Sequence, residues 1–170
     1  DTLNHVHLTY FEGATGHKTI TEVKNLTSFR RLKSSRETVA VGYKIIEMFL
    51  RHVEEGFSDT RLFSTLERTL TLLDSAEVSS LAVISYFYIN FMYSLGYKLQ
   101  LKNCVVCGEK LNINWGSAWF SVEKGGLVCP LCKTLEEEIG LKGAALLNKL
   151  QVLTERDFAY FKGSTTDLLR

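Results

Sequence analysis

Four cysteines carry the clearest chemistry in this 170-residue chain. They fall as Cys104-Val-Val-Cys107-Gly108 and Cys129-Pro-Leu-Cys132, with twenty-one residues between the pairs. Each pair sets two thiols on a tight knuckle, and two knuckles supply the four soft ligands of a tetrahedral Zn²⁺. Gly108 lets the backbone turn so that amides face the sulfurs. The spacer 112–126 holds Trp115, Trp119 and Phe120, then Gly125-Gly126. That pattern is a short hairpin returning the second knuckle to the first, the layout of a zinc ribbon. With four protein ligands no coordination position stays open for water, so such a metal is structural. Disulfides, buried free thiols and a redox pair are the alternatives. Use of all four Cys in pairs, without a secretory feature or a thioredoxin-like pattern, favours zinc.

A second cluster is cationic. Arg30, Arg31, Lys33 and Arg36 lie within seven positions, with Lys18 and Lys24 on the preceding segment. These residues suit phosphate contacts, although a solvated helix entry uses the same residue types. His5, His7, His17 and His52 are scattered, and His5 and His7 share only an i, i+2 spacing. Trp115 and Trp119 suit a miniature core beside the cysteines. The chain has no nucleophile elbow, phosphate-binding loop or dinucleotide fingerprint, and this argues against an enzyme or a small-molecule substrate.

The elements that must position these residues follow from periodicity. Val6, Leu8 and Tyr10 alternate with His5, His7 and Thr9, and Thr19–Val23 is β-branched after the turn 12–16. This predicts a hairpin, which needs further strands or a covering helix to be stable. Val39, Tyr43, Ile46, Phe49 and Val53 then recur at three and four residues, a helix capped by Ser35 and ended by Gly56. Ser58 or Asp59 opens a second helix with Leu62, Leu66, Leu70 and Leu73 on one stripe. A third, from about Ala76 to Leu95, is apolar on nearly every side, and its Tyr86, Phe87, Tyr88, Phe91 and Tyr93 suit core packing. Polar interruptions make it a buried helix rather than a membrane span. Glu136–Glu138 introduce a further helix running to about Leu150, their carboxylates favoured in its first turn. A last helix is expected from about Glu155.

Composition agrees with this plan. The chain is 45% hydrophobic with net charge +1, which excludes a disordered chain, and its single Pro favours long helices. It begins at Asp1 and its only Met residues are Met48 and Met92, so it reads as processed or as part of a longer protein.

The order of these features resembles the RecO family of bacterial DNA repair proteins. The resemblance runs from about Leu8 to Leu150. It rests on the helix end Leu95-Gly96-Tyr97, then Leu101-Lys-Asn-Cys104-Val-Val-Cys107-Gly108, then Gly125-Gly126-Leu-Val-Cys129-Pro-Leu-Cys132. It implies an N-terminal OB-fold, a helical domain and structural Zn²⁺ on Cys104, Cys107, Cys129 and Cys132. It also implies a cytoplasmic, nucleoid-associated mediator. Such a mediator binds single- and double-stranded DNA, anneals strands, and works with a RecR-like partner to load recombinase where single-stranded DNA-binding protein coats the strand. The chain departs from the family at Ser85, Tyr86 and Phe87-Tyr88-Ile89, where members often carry an Arg and a Phe-Glu-Leu. It also stops before the final Tyr- and His-bearing helix usual in the family.

The expectation is therefore a mainly α protein: a helical bundle with an inserted four-cysteine zinc loop, preceded by a β-hairpin that ends an OB-fold. Residues 1–27 form the hairpin and 28–170 the helical domain, with the metal insertion at 101–133. A zinc-stabilised interaction adaptor without direct DNA binding is the alternative.

Overall fold

The structure is a computed structural model and describes residues 3–54 and 59–152. It contains four helices and two small sheets among the described residues. Strands β1 (His5–Glu12) and β2 (Lys18–Thr27) pair antiparallel, with register shifts at His5/Val6 and Thr9/Tyr10. The hairpin is longer than the alternating residues suggested, and every residue of β2 is exposed. Its apolar side chains, Tyr10, Phe11, Ile20 and Val23 among them, therefore face solvent.

A tight connection anchors the base of the hairpin. Leu3, Phe29 and Leu32 are buried in the main core. Gly42 makes room for them, since a Cβ there would meet Leu32 Cδ2 at 3.4 Å and Leu3 Cδ1 at 3.6 Å. The buried Leu32 donates its N–H to Asp74 Oδ1 at 2.9 Å, forty-two residues away. Asp74→Ala leaves that donor unsatisfied and is expected to cost about 1–3 kcal/mol in urea unfolding, whereas Asp74→Asn keeps the acceptor.

Helix α1 (Arg36–His52) starts after Ser35 as expected, but Ser35 makes no side-chain cap. Thr38 Oγ1 instead donates to the Leu32 carbonyl at 2.6 Å, stitching the helix to the preceding turn. The helix ends at His52; Gly56 lies outside the described residues. Helix α2 (Thr60–Ser75) is capped by Asp59, whose carboxylate accepts from Arg61 N and Leu62 N. Hydrogen bonds to Asp59, led by that of the Arg61 side chain, hold its carboxyl below the usual carboxylate range. Helix α3 (Ser80–Ser94) is capped by Ser79 and buries Val83, Tyr86, Phe87, Ile89 and Phe91. The three helices share one core in which Phe87 stacks on Phe91 at 5.1 Å. Core packing thus claims most of the aromatic cluster, but Tyr93 is exposed.

Strands β3 (Trp119–Ser121), β4 (Gly126–Val128) and β5 (Glu137–Glu138) form the second sheet, in the order β4-β3-β5. Helix α4 (Gly140–Val152) follows. One expectation is corrected here: Glu137 and Glu138 are in a strand, not in the first turn of a helix. Ile139 N and Gly140 N both donate to the Ala118 carbonyl, at 2.9 and 3.0 Å, which holds the segment against β3 until Gly140 turns at φ +68. The helix expected from Glu155 lies outside the described residues. Leu150 docks α4 against Ala82, Tyr86 and Ile89 of α3.

Candidate metal centre

The cysteine module has its own core, separate from that of α1–α3. Leu101, Trp115, Ala118, Trp119, Leu127 and Val128 are buried together with Cys104 and Cys129. The expected hairpin is present as β3 and β4, with Phe120 opposite Leu127. The chain before the first knuckle lies along β4: Gln100 N donates to the Gly125 carbonyl and Leu127 N to the Gln100 carbonyl, both at 2.9 Å. The approach is close. A Cβ on Gly126 would sit 2.6 Å from Gln100 O and 2.4 Å from Val105 Cγ1. Gly126→Ala must therefore push the two backbones apart. Its expected effect is a loss of about 1–3 kcal/mol, with weakened metal retention read by competition with a chromogenic chelator.

The four sulfurs converge. Those of Cys104, Cys107, Cys129 and Cys132 all lie within 4.8 Å of one another. Cys107 Sγ and Cys129 Sγ are 3.7 Å apart. Sulfurs set tetrahedrally about 2.3 Å from an ion lie about 3.8 Å apart, whereas a disulfide requires about 2.05 Å. All four cysteines are free, and their spacing is that of a metal tetrad. Gly108, at φ +79, closes the first knuckle by donating to the Cys104 carbonyl at 2.9 Å. Val106 N and Cys129 N both donate to Cys104 Sγ at 3.4 Å.

The electrostatics follow from this arrangement. Burial pushes the Cys104 thiol up, but the N–H groups of Cys107, Cys129 and Val106 outweigh it and hold the thiol at about 6. Burial raises Cys129 above its usual range. Cys132 is pushed up to about 12, first by its hydrogen bond with Cys129 and then by that with Cys107. Cys104 therefore gives up its proton readily, while burial at Cys129 and the sulfur hydrogen bonds at Cys132 keep theirs on. A cation among the sulfurs would favour their deprotonated forms. The residues thus fit a metal ion held by four thiolates, with Lys133 covering the adjacent Trp119 ring at 4.1 Å.

The cationic residues are spread more widely than their numbering suggests. Arg30, Arg31 and Arg36 are exposed, at the junction before α1. Arg31 Nη1 donates to the Ser75 carbonyl at 3.3 Å, and Lys33, half-buried, donates to Asn4 Oδ1. Lys18 sits over the Tyr10 ring at 5.4 Å. It opens the ten-residue β2 at the end away from Arg30, and at about 3.3 Å per residue that is roughly 30 Å. The junction and Lys18 are therefore not one patch.

Two features had no legible signal in the sequence. His5 Nδ1 lies 2.9 Å from Glu67 Oε1 and its ring packs edge-on to Phe63 at 5.4 Å, joining β1 to α2. A cleft of about 280 Å³ also opens where α3, β3 and α4 meet, lined by Tyr88, Met92, Phe120, Ile139 and Leu147. Both depend on contacts between residues far apart in the chain.

The model of the family described as "Recombination protein O C terminal" matches residues 28–169, which include all four cysteines and the helices. The chain belongs to this family. Similar proteins within it include DNA repair protein RecO of Thermoanaerobacter sp. (strain X514), 32% identical over 130 residues, covering 76% of this chain and 46% of that protein. RecO of Roseiflexus sp. (strain RS-1) is 31% identical over 135 residues, or 78% of this chain and 47% of that protein. RecO of Dehalococcoides mccartyi (strain BAV1) is 31% identical over 118 residues, 69% and 46% respectively. The chain spans about half the length of these RecO relatives. The hairpin precedes the part matched by the RecO C-terminal model. No helix among the described residues is long and apolar enough to cross a membrane.

Proposed function

We propose that this chain is part of a RecO-like recombination mediator acting in DNA repair. The observation that carries the reading is the family match over residues 28–169. The role is that of a mediator and not of an enzyme. It binds single- and double-stranded DNA, promotes annealing of complementary strands, and helps load recombinase onto strands coated by single-stranded DNA-binding protein, together with a RecR-like partner. A DNA-repair role suits a cytoplasmic, nucleoid-associated place. Residues 1–27 are the end of an OB-fold barrel, whose further strands would cover the exposed apolar hairpin. Residues 28–170 form the helical domain, with the metal module inserted at 101–133.

In this reading the metal is Zn²⁺, bound by Cys104, Cys107, Cys129 and Cys132 and structural in role. Four thiolates suit zinc and leave no position for water. Arg30, Arg31 and Arg36 supply phosphate contacts at the junction, with Lys33 and Lys18 as outlying members of the set. Labelled complementary oligonucleotides test the function: the chain is expected to bind a single strand at low salt and accelerate annealing. Arg30→Gln/Arg36→Gln should weaken binding and flatten its salt dependence by about one unit of slope. Failure of the full-length protein that carries this chain to bind a single strand even at low salt would refute the reading.

The cleft between α3, β3 and α4 favours a second reading, that of a zinc-stabilised adaptor without direct DNA binding. Under it, partner capture survives the arginine changes and is lost when the cleft is filled by Met92→Trp.

A further inference from the structure

The sheet of the metal module carries opposite charge at its two edges. At one edge stand Glu137 and Glu138 of β5, with Glu136 immediately before them. At the other, chain 98–103 runs beside β4, anchored by Gln100 on both sides of Gly126. Along that segment Lys98, Gln100 and Lys102 are exposed, alternating with half-buried Leu99 and buried Leu101. The first knuckle folds back onto it through Leu111 N to the Lys102 carbonyl at 2.9 Å and a bridge between Asn103 and Lys110, adding an exposed Lys110. Where this edge meets α3, Tyr93 and Tyr97 are 60% and 65% exposed.

We propose that this edge is a track for single-stranded nucleic acid. Lys98, Lys102 and Lys110 contact its phosphates, and a base stacks on Tyr97. The proposal takes its ligand class from the function proposed above and places a binding surface on elements distinct from the arginine junction. Four residues of extended chain separate Lys98 from Lys102 by roughly 13 Å, room for more than one phosphate of a flexible strand. Among the described residues none of the three lysines is paired with a carboxylate, so their charge is available. The glutamate edge lies about three strand spacings away, roughly 15 Å. That exceeds the screening length of about 8 Å at physiological salt, and the acidic edge does not cancel the basic one. An exposed ring beside a line of cations is the arrangement that holds unpaired bases, since every base offers a π-face.

The test measures anisotropy of fluorescein-labelled oligothymidine bound by the 170-residue chain across a salt titration. Lys98→Gln/Lys102→Gln/Lys110→Gln should weaken binding at least about tenfold and reduce the slope of log affinity against log salt by about 2. Tyr97→Leu should weaken binding about tenfold with the slope unchanged. Circular dichroism and metal content matching the parent show that the fold is kept. If Arg30→Gln/Arg36→Gln loses binding while the triple and Tyr97 variants bind as the parent does, the track is refuted and the junction stands. If the triple and Tyr97 variants lose binding while the arginine variant keeps it, the track stands and the junction fails. A parent chain that does not bind refutes both.

Discussion

Replacing Cys129 with Ser is expected to release the metal and collapse the module around it while leaving the core of α1–α3 folded. Cys129 is fully buried, and its N–H also donates to Cys104 Sγ at 3.4 Å, so the change removes a ligand at the point where the knuckles meet. The module is too small to stand on apolar burial alone: β3 and β4 have three residues each and β5 has two. Structural zinc contributes about 10–16 kcal/mol of apparent binding free energy at neutral pH in small domains, and that energy is folding energy. Trp115 and Trp119 are 5% and 9% exposed, so near-ultraviolet circular dichroism should lose its tryptophan signal when Cys129 is changed or a strong chelator is added. Far-ultraviolet helicity should fall only in part, because Phe87, Phe91 and Leu62 belong to the other core. Helix α4 spans both, with Ala144 against the metal module and Leu150 against α3, and is the helical segment expected to loosen. Acid acts in the same direction. A metal held by these sulfurs would bind them as thiolates, and Cys129 and Cys132 hold their protons above the ordinary thiol range without a cation. Binding therefore releases protons, and affinity falls as pH falls. Retention of stoichiometric metal by Cys129→Ser would contradict the assignment.

Phe87→Ala is the second large effect. Phe87 is fully buried, stacked on Phe91 at 5.1 Å and 5.8 Å from the Tyr88 ring. Removing a ring from a packed core costs about 3–5 kcal/mol through lost burial and the cavity left behind. Against a total stability of about 5–15 kcal/mol, the urea midpoint of the helical core should drop steeply. Phe87→Leu, which fills most of the space, should cost much less. Because the two cores are separate, metal content of Phe87→Ala should match the parent under native conditions. A loss below about 1 kcal/mol, against the cost usual for a buried ring, would show that Phe87 does not sit at the centre of this core.

What was legible in the sequence is what local chemistry decides. Cys spacing with Gly108 and Gly125-Gly126 announced a hairpin that brings the four cysteines together, because knuckles and turns are set by adjacent residues. The stripe Leu62, Leu70, Leu73 and the all-round apolar α3 announced two of the packed helices. Glu136–Glu138 misled because carboxylates before a helix look alike whether they enter its first turn or a strand. The difference lies in the Ala118 carbonyl, which is distant in sequence and captures Ile139 and Gly140. Lys18 was grouped with Arg30 because both are basic and close in number, but an extended strand separates its two ends. The opposite charge of the two sheet edges was hidden for a similar reason, since the chain around Gln100, bridged to Gly126 of β4, and Glu138 of β5 come to opposite edges only through the order β4-β3-β5.

The most direct measurement is the metal content of the purified chain by elemental analysis, taken together with a thiol titration before and after chelation. The account predicts one zinc per chain, and four cysteine thiols that become reactive when the zinc is removed. A metal-free, folded chain whose four cysteines are paired as disulfides would contradict it.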